Sequence, residues 1–485
     1  MQARATAPIA RTIFLVATEA SGDRLGANLM KVLRQRLGDA VRFEGVGGQS
    51  MAREGLVSLF PIEELSIIGV SAVVKRLPKI LRLIRTTTDA VMKTSPDMLV
   101  IVDSPDFTHR VAKRVRAQDP SIPIIDYVAP SVWAWRPGRA SAMRSYVDHV
   151  LALLPFEPDE YRRLGGPPCS YVGHPLIEQI AVLRPGVEEQ RRREQTPPVL
   201  LVLPGSRRSE IRHHMAVFGK ALGRLKDEGV VFELILPTMP HLQDAIGAAL
   251  TNWPVQPRMV TGEQEKRAAF RIARAALAKS GTVTLELAIA GVPMVAGYRT
   301  GGLEASIIRR LINVKSVILA NLVIGENVVP EYLQQDCTPE KLSRALVDVL
   351  ADSPLRRRQL EAFAKIDTNM STGSQPPSLR AAEIVLEAMR KSRRSAKSVF
   401  QRSGRRFAGR KRVRTTKSAI NDDRKQDIDT ERRRHRMRSL AHGDVDIVPA
   451  CHTGVELTRA ADLLVRIFDH FTPLADPADG ARDRE

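Results

Sequence analysis

Cysteine is nearly absent: Cys169, Cys337 and Cys451 are the only three in 485 residues, far apart and without a CxxC pair. That excludes a disulfide framework and the common zinc spacings, and it fits a reducing compartment. Aromatic residues are scarce as well, at 5%. No apolar run approaches the ~20 residues that a membrane span needs. The N-terminal run Ile13–Ala17 is too short and too quickly polar for a signal peptide, so it reads as a first buried strand. Neither a GxxxxGKS/T loop nor a kinase motif set occurs, which disfavours ATP phosphoryl transfer. Positive charge, by contrast, is abundant, at a formal +20. Residues 390–440 hold 20 Lys/Arg against 5 Asp/Glu, so +15 of that charge sits in one stretch. The charge belongs to a tail rather than to the fold. A nucleic-acid-binding function would rest on that tail alone, and would weaken steeply with salt.

The rest of the composition is ordinary for a globular protein, 43% hydrophobic and 26% charged. The length suggests two or three domains, because single cores stop growing near ~250–300 residues. Short apolar runs recur, most followed by turn residues and a helical pattern. Six strands are expected in the first half: Ile13–Ala17, Arg42–Val46, Met98–Val102, Ile124–Val128, Val150–Leu154 and Ser170–Val172. Four are expected in the second: Val199–Leu203, Phe232–Leu236, Ala275–Ala278 and Pro293–Gly297. Apolar residues on both faces suit parallel sheets covered by helices, an α/β protein of doubly wound units. The charged, proline-flanked stretch 183–198 reads as an exposed linker helix between residues 11–182 and 197–350. Strands cease after about Ala351. Leu379, Ala382, Leu386 and Met389 recur at helical spacing, so a last helix over 375–390 packs on something. Residues 391–485 read as a mostly disordered extension with a short helix over 455–471.

Four strand ends carry chemistry. Strand Val199–Leu203 runs into Pro204-Gly205-Ser206-Arg207 and then a helix. Glycine at such a turn lets backbone N–H groups approach an anion, and Arg207 can clamp a phosphate. An ordinary turn with a surface arginine gives the same letters. Strand Ala275–Ala278 repeats the arrangement with Ser280-Gly281-Thr282, followed by Glu286 one turn into the next helix. Glu286 is placed to hold ribose hydroxyls, or simply favoured by the helix dipole. Two anion-ready turns in one half suggest a phosphorylated nucleotide. In the first half, Ile13–Ala17 ends in Thr18-Glu19-Ala20-Ser21-Gly22-Asp23, and Met98–Val102 ends in Asp103. Asp103 is placed either as a general base on an acceptor hydroxyl or as an Asx-type cap. Trp133 and Trp135, after another strand, line a cleft or brace a loop. Finally, Ile67, Ile68, Val70, Val73 and Val74 precede a helical stretch alternating basic and apolar residues. That pattern fits a membrane interface, a core helix with a solvated basic face, or a site for an apolar acceptor.

Together these motifs resemble the lipid-A-disaccharide synthase family. The resemblance rests on Thr18–Asp23, Gly45–Gly48, Asp103–Phe107, Tyr127–Arg136, Leu154–Glu157 and Val172–Leu176. It continues in the same order through Leu203–Ile211, Ser280–Glu286, Pro293–Arg299, Asn321-Leu322 and Pro330–Gln334, covering about Thr12 to Met389. It implies a GT-B fold, two Rossmann-like domains facing a cleft, with the last helix returning to the first. It implies an inverting transfer from UDP-2,3-diacylglucosamine to 2,3-diacylglucosamine 1-phosphate, on the inner face of a bacterial inner membrane. Neither a metal nor another cofactor is implied, nor a specific nucleic-acid partner, and a homodimer is left open. Carried onto this sequence, Gly205, Ser206, Arg207, Ser280, Gly281, Thr282, Glu286, Asn321 and Gln334 would hold the nucleotide. Asp103 would be the base, and Glu19, Ser21, Gly22 and Asp23 would line the acceptor side. Ile67 to Val74 would face the membrane. Thr18 and Thr108 depart from the pattern, where Gly and Asn are expected. The alternative reading is a UDP-N-acetylglucosamine 2-epimerase or a transferase of soluble sugars.

Overall fold

Two runs with no polar residue, Met98–Val102 and Val199–Leu203, are buried at every position. A strand buried on both faces needs helices on both, and each run sits inside its own parallel sheet. The computed structural model describes residues 11–65, 70–134, 136–300 and 316–392. The first sheet has six strands in the order β2-β1-β3-β4-β5-β6. They are β1 Arg11–Ala17, β2 Val41–Val46, β3 Met98–Val102, β4 Ile124–Tyr127, β5 His149–Ala152 and β6 Cys169–Tyr171. The second has the order β12-β11-β10-β7-β8-β9. Its strands are β7 Val199–Leu203, β8 Glu233–Thr238, β9 Arg258–Thr261, β10 Ala275–Lys279, β11 Met294–Tyr298 and β12 Glu331–Leu333. All ten strand pairings are parallel. This is the GT-B architecture.

The strand orders decide where ligands bind. Chain order reverses between β1 and β3 in the first sheet and between β7 and β10 in the second. Open α/β sheets bind ligands at the carboxyl ends of strands at such a switch point. Register brings these ends level: Ala17 pairs with Val102, and Leu203 with Ala278. The turns beginning at Thr18 and Asp103 therefore share one crevice. The turns beginning at Pro204 and Ser280 share another.

Ten strands lie where the apolar runs predict, within two residues at each end. The two missed strands, β9 and β12, are edge strands with one buried residue between them. An edge strand faces the core weakly and carries no apolar run to read.

The stretch 183–198 departs from the expectation of an exposed linker. A helix forms at Val187–Glu194, but Arg193 is buried at 5% exposure. Its guanidinium donates to the carbonyls of Phe270, Arg271, Ala290 and Gly291 at 2.8–3.0 Å. These carbonyls end two helices of the second half, where a cation is favoured. The segment is thus bolted to the second sheet's helices.

Ala381, Ala382, Val385, Leu386 and Met389 belong to a helix over 377–392. They are buried in one cluster with Ile13, Leu15 and Ala17 of β1. The last helix thereby packs on the first sheet. The helix Val70–Thr94 buries Leu83, Ile84 and Val91 while Arg82 and Arg85 stay exposed, so its second half is a core helix with a basic outer face. Ile67 and Ile68, the side chains of Val70, Val73 and Val74, Trp135 and the extension 393–485 lie outside the described residues. Among the described residues no helix is long and apolar enough to cross a membrane.

Candidate functional site

At the β1–β3 switch point Asp103 has φ 55° and Ser104 φ 47°. Two successive side-chain-bearing residues in the left-handed region cost on the order of 1–3 kcal/mol each, and such strain concentrates at functional sites. Several bonds hold the turn. Asp103 donates its N–H to the Tyr127 carbonyl (3.0 Å), and Thr108 donates its hydroxyl to the Asp103 carbonyl (2.7 Å). Thr108, the departure from the family pattern, is thus a brace. Asp103 Oδ1 accepts the Ser104 N–H at 2.7 Å, leaving Oδ2 to act on a ligand. The Ser104 hydroxyl is buried without a partner. Burial raises the Asp103 carboxyl above the ordinary aspartate value, and the charges of Glu19 and Asp126 add to that, against the Ser104 N–H. A carboxyl of raised pKa is a better proton acceptor once ionised.

Glu19 and Ser21 are exposed beside this turn, and a Cβ on buried Gly22 would stand 3.4 Å from the Val102 carbonyl oxygen. Asp23 does different work. Its carboxylate accepts the N–H groups of Gly48, Ser50 and Met51 at 2.7–3.0 Å, which ties the Gly47-Gly48 turn to the first helix. Of the two carboxylates, Glu19 is the exposed one, while Asp23 is consumed in shaping the turn. Glu157, which the sequence offers only as part of the Leu154–Glu157 motif and with no site role, is buried, and that burial pushes its carboxyl up to about 7. Leu154 N–H and the Trp133 indole N–H donate to it. Trp133 in turn packs edge-on against Phe156 and on the second half's core, so it braces a loop.

At the β7–β10 switch point a cavity of about 250 Å³ brings together Gly205, Ser206, Gly281, Thr282 and Glu286. Both turns identified in the sequence meet there. Gly205 has φ 131°, and a Cβ on it would lie 2.5 Å from Glu210 Oε2, so only glycine fits. Four charged residues that are not site candidates in the sequence line the same cavity: Glu210, Glu263, Lys266 and Lys279. Lys266 reaches Glu286 Oε2 at 2.6 Å, and Lys279 reaches Glu210 Oε1 at 2.9 Å. The signal for Lys279 was its place, a long cation ending an otherwise apolar strand at a switch point.

Three residues expected on the nucleotide side stand apart from this cavity lining. Arg207 is exposed and is not part of the cavity lining. Ser280 turns its hydroxyl to the Val317 carbonyl at 3.3 Å. Asn321 is buried at 2% exposure, donating to Ser316 Oγ and the Val329 carbonyl and accepting from the N–H groups of Val328 and Val329. With its amide fully engaged it shapes the loop before β12, and a motif alone does not tell a shaping amide from a binding one. Gln334 differs: Oε1 accepts the Thr300 N–H at 3.2 Å, while its buried Nε2 has no partner.

His214 fastens this region. The Arg299 N–H donates to Nε2 at 2.9 Å, so Nδ1 carries the proton and donates to the Glu210 carbonyl at 2.8 Å. Burial lowers its pKa to about 4. The unfolded chain, with an ordinary histidine near ~6.5, binds the extra proton first as pH falls. His214 therefore withdraws about 3 kcal/mol of stability between pH ~6.5 and ~4, whereas Glu157, raised to about 7, acts in the opposite sense. His214→Asn is expected to flatten the loss of thermal midpoint between pH 7 and pH 4.5, with a fluorescence melt at each pH as the check. Among the described residues no group of three or more His, Cys, Asp or Glu could hold a metal ion.

A family model described as lipid-A-disaccharide synthetase matches residues 13–385. The chain belongs to that family. As a member it is a glycosyltransferase of lipid A biosynthesis, using a UDP-sugar donor and a lipid acceptor. The lipid-A-disaccharide synthase of Rhodopseudomonas palustris strain BisB18 is 75% identical over 376 residues, 78% of this chain and 95% of that protein. The one from Bradyrhizobium diazoefficiens is 71% identical over 79% of this chain and 98% of its own length. Family members are thus nearly spanned by the part of the chain before the extension. Among solved structures, the N-terminal domain of Candida albicans trehalose-6-phosphate phosphatase superposes with a TM-score of 0.50 at 10% identity, over 78% of this chain and 96% of that one. That likeness concerns the fold alone.

Proposed function

We propose that the chain moves 2,3-diacylglucosamine from its UDP conjugate to the 6-hydroxyl of 2,3-diacylglucosamine 1-phosphate. Asp103 Oδ2 takes the hydroxyl proton as the oxygen attacks the anomeric carbon. The bond from that carbon to the diphosphate breaks, and UDP leaves with the electron pair. One displacement inverts the anomeric centre and gives a β(1→6) disaccharide 1-phosphate.

The observation that carries this reading is the pair of switch points. One ends in a strained carboxylate with a free oxygen. The other ends in a cavity with glycine turns, a helix start and lysines, a set suited to a nucleoside diphosphate. Residues 11–182, completed by 375–390, form the acceptor domain, and 197–350 form the donor domain, with the two crevices facing one cleft. Glu19 and the Ser104 hydroxyl orient the acceptor, and Gln334 Nε2 donates to the nucleotide. The Ile67–Val74 segment meets the inner face of the inner membrane. Val57 and Leu59, 86% and 43% exposed, are further apolar side chains at the surface of the first half.

The test separates three classes of function. A chain ending at residue 390 is expected to keep lipid-dependent UDP release, since the family model matches residues 13–385. Loss of activity together with salt-sensitive RNA binding that requires 391–485 would favour the nucleic-acid reading. Epimerised sugar from UDP-N-acetylglucosamine without any lipid would favour the epimerase.

A further inference from the structure

The donor cavity carries more charge than glycines and a helix start require. Two ammonium groups, Lys266 and Lys279, and three carboxylates, Glu210, Glu263 and Glu286, line it. Lys279 Nζ lies 2.9 Å from Glu210 Oε1 and 5.5 Å from the centre of the Tyr298 ring. It also stands 3.1 Å from where a Cβ on Gly281 would be, against the backbone that opens the second turn. Glu210 Oε2 accepts the N–H groups of Ser206 at 2.9 Å and Arg207 at 3.3 Å. One carboxylate thus collects a lysine and two backbone donors at the start of the helix Arg208–Asp227. Those are the donors a phosphate group uses.

We propose that Glu210 is an internal stand-in for the donor's diphosphate, and that the diphosphate takes over Lys279 from it on binding. This rests on the UDP-sugar reading above. The charges explain why an exchange is needed. With three carboxylates against two ammonium groups the lining is net negative, and an anion entering it would be repelled while Glu210 holds Lys279. Once the ligand pairs with Lys279, Glu210 has a short path to water, because Ser206 to Ser209 beside it are exposed. After transfer the carboxylate competes for the same donors and hastens the departure of UDP. Sequence identity alone does not reveal this role, because a glutamate three residues into a helix reads as a capping residue.

The full-length protein is titrated calorimetrically with UDP and with uridine. Lys279→Gln is expected to weaken UDP about tenfold or more and to leave uridine unchanged, the cost of one charge-assisted contact. Glu210→Gln keeps a capping side chain but loses the charge, and is expected to tighten UDP severalfold while slowing turnover. The double variant should bind UDP as Lys279→Gln does, because without the ammonium there is nothing to release. Lys279→Arg should stay within about threefold of wild type. The proposal fails if Glu210→Gln weakens UDP, as it would if Glu210 only steadied Lys279. It fails equally if Lys279→Gln has no effect on UDP, or if Lys279→Arg falls as far as Lys279→Gln. A wild-type protein that binds neither UDP nor uridine would remove the UDP-sugar reading itself.

Discussion

Asp103→Asn is expected to lower turnover about 10²–10⁴-fold while UDP affinity stays unchanged, the loss typical of a removed general base. The substitution is mild for the fold. Asparagine tolerates the left-handed backbone at φ 55° and still accepts the Ser104 N–H. What it loses is the charge at the free oxygen. The pH profile of the wild type offers a second check. Since burial and the charge of Glu19 raise the Asp103 carboxyl, activity should rise with pH through a limb above the ordinary aspartate range. The limb should move down in Glu19→Gln. Loss of UDP binding in Asp103→Asn would make Asp103 a structural residue.

Arg193→Met is expected to cost about 3 kcal/mol or more and to lower the thermal midpoint of the second half by several degrees. Methionine fills much of the volume but donates nothing, so four carbonyls at 2.8–3.0 Å lose the guanidinium, and of these the Phe270 carbonyl keeps the Ala273 N–H. Each buried acceptor left unmade costs about 1–3 kcal/mol, partly recovered where water reaches it. A residue on an exposed linker would move stability by less than about 0.5 kcal/mol. Circular dichroism or fluorescence melts separate the two cases. Lysine is no substitute, because one ammonium does not span two helix ends as the planar fork does.

The contrast between these two residues shows what was legible in the sequence. Asp103 follows five apolar residues that only a central parallel strand explains, so both its strand and its place at the strand end could be read. The same holds for Gly205 and Gly281, since a glycine between a buried strand and a helix has few other uses. Arg193 could not be read, because its carbonyl partners lie about 80 to 100 residues away in sequence. Asp23 and Asn321 show a subtler limit. Their motifs point to a site, and they stand near one, but their polar atoms are consumed in shaping its walls. Which atoms remain free is set by backbone geometry several residues away, as with the three N–H groups that converge on Asp23. Lys279 is the reverse case, a functional candidate hidden because the small residues next to it drew the reading.

The central claim is that the two switch-point crevices hold one donor and one lipid acceptor for a single displacement. Purified full-length protein, given UDP-2,3-diacylglucosamine and 2,3-diacylglucosamine 1-phosphate, should release one UDP for each β-linked disaccharide 1-phosphate formed, and almost none when the acceptor is left out. No UDP release with both substrates present, or equal release without the acceptor, would contradict it.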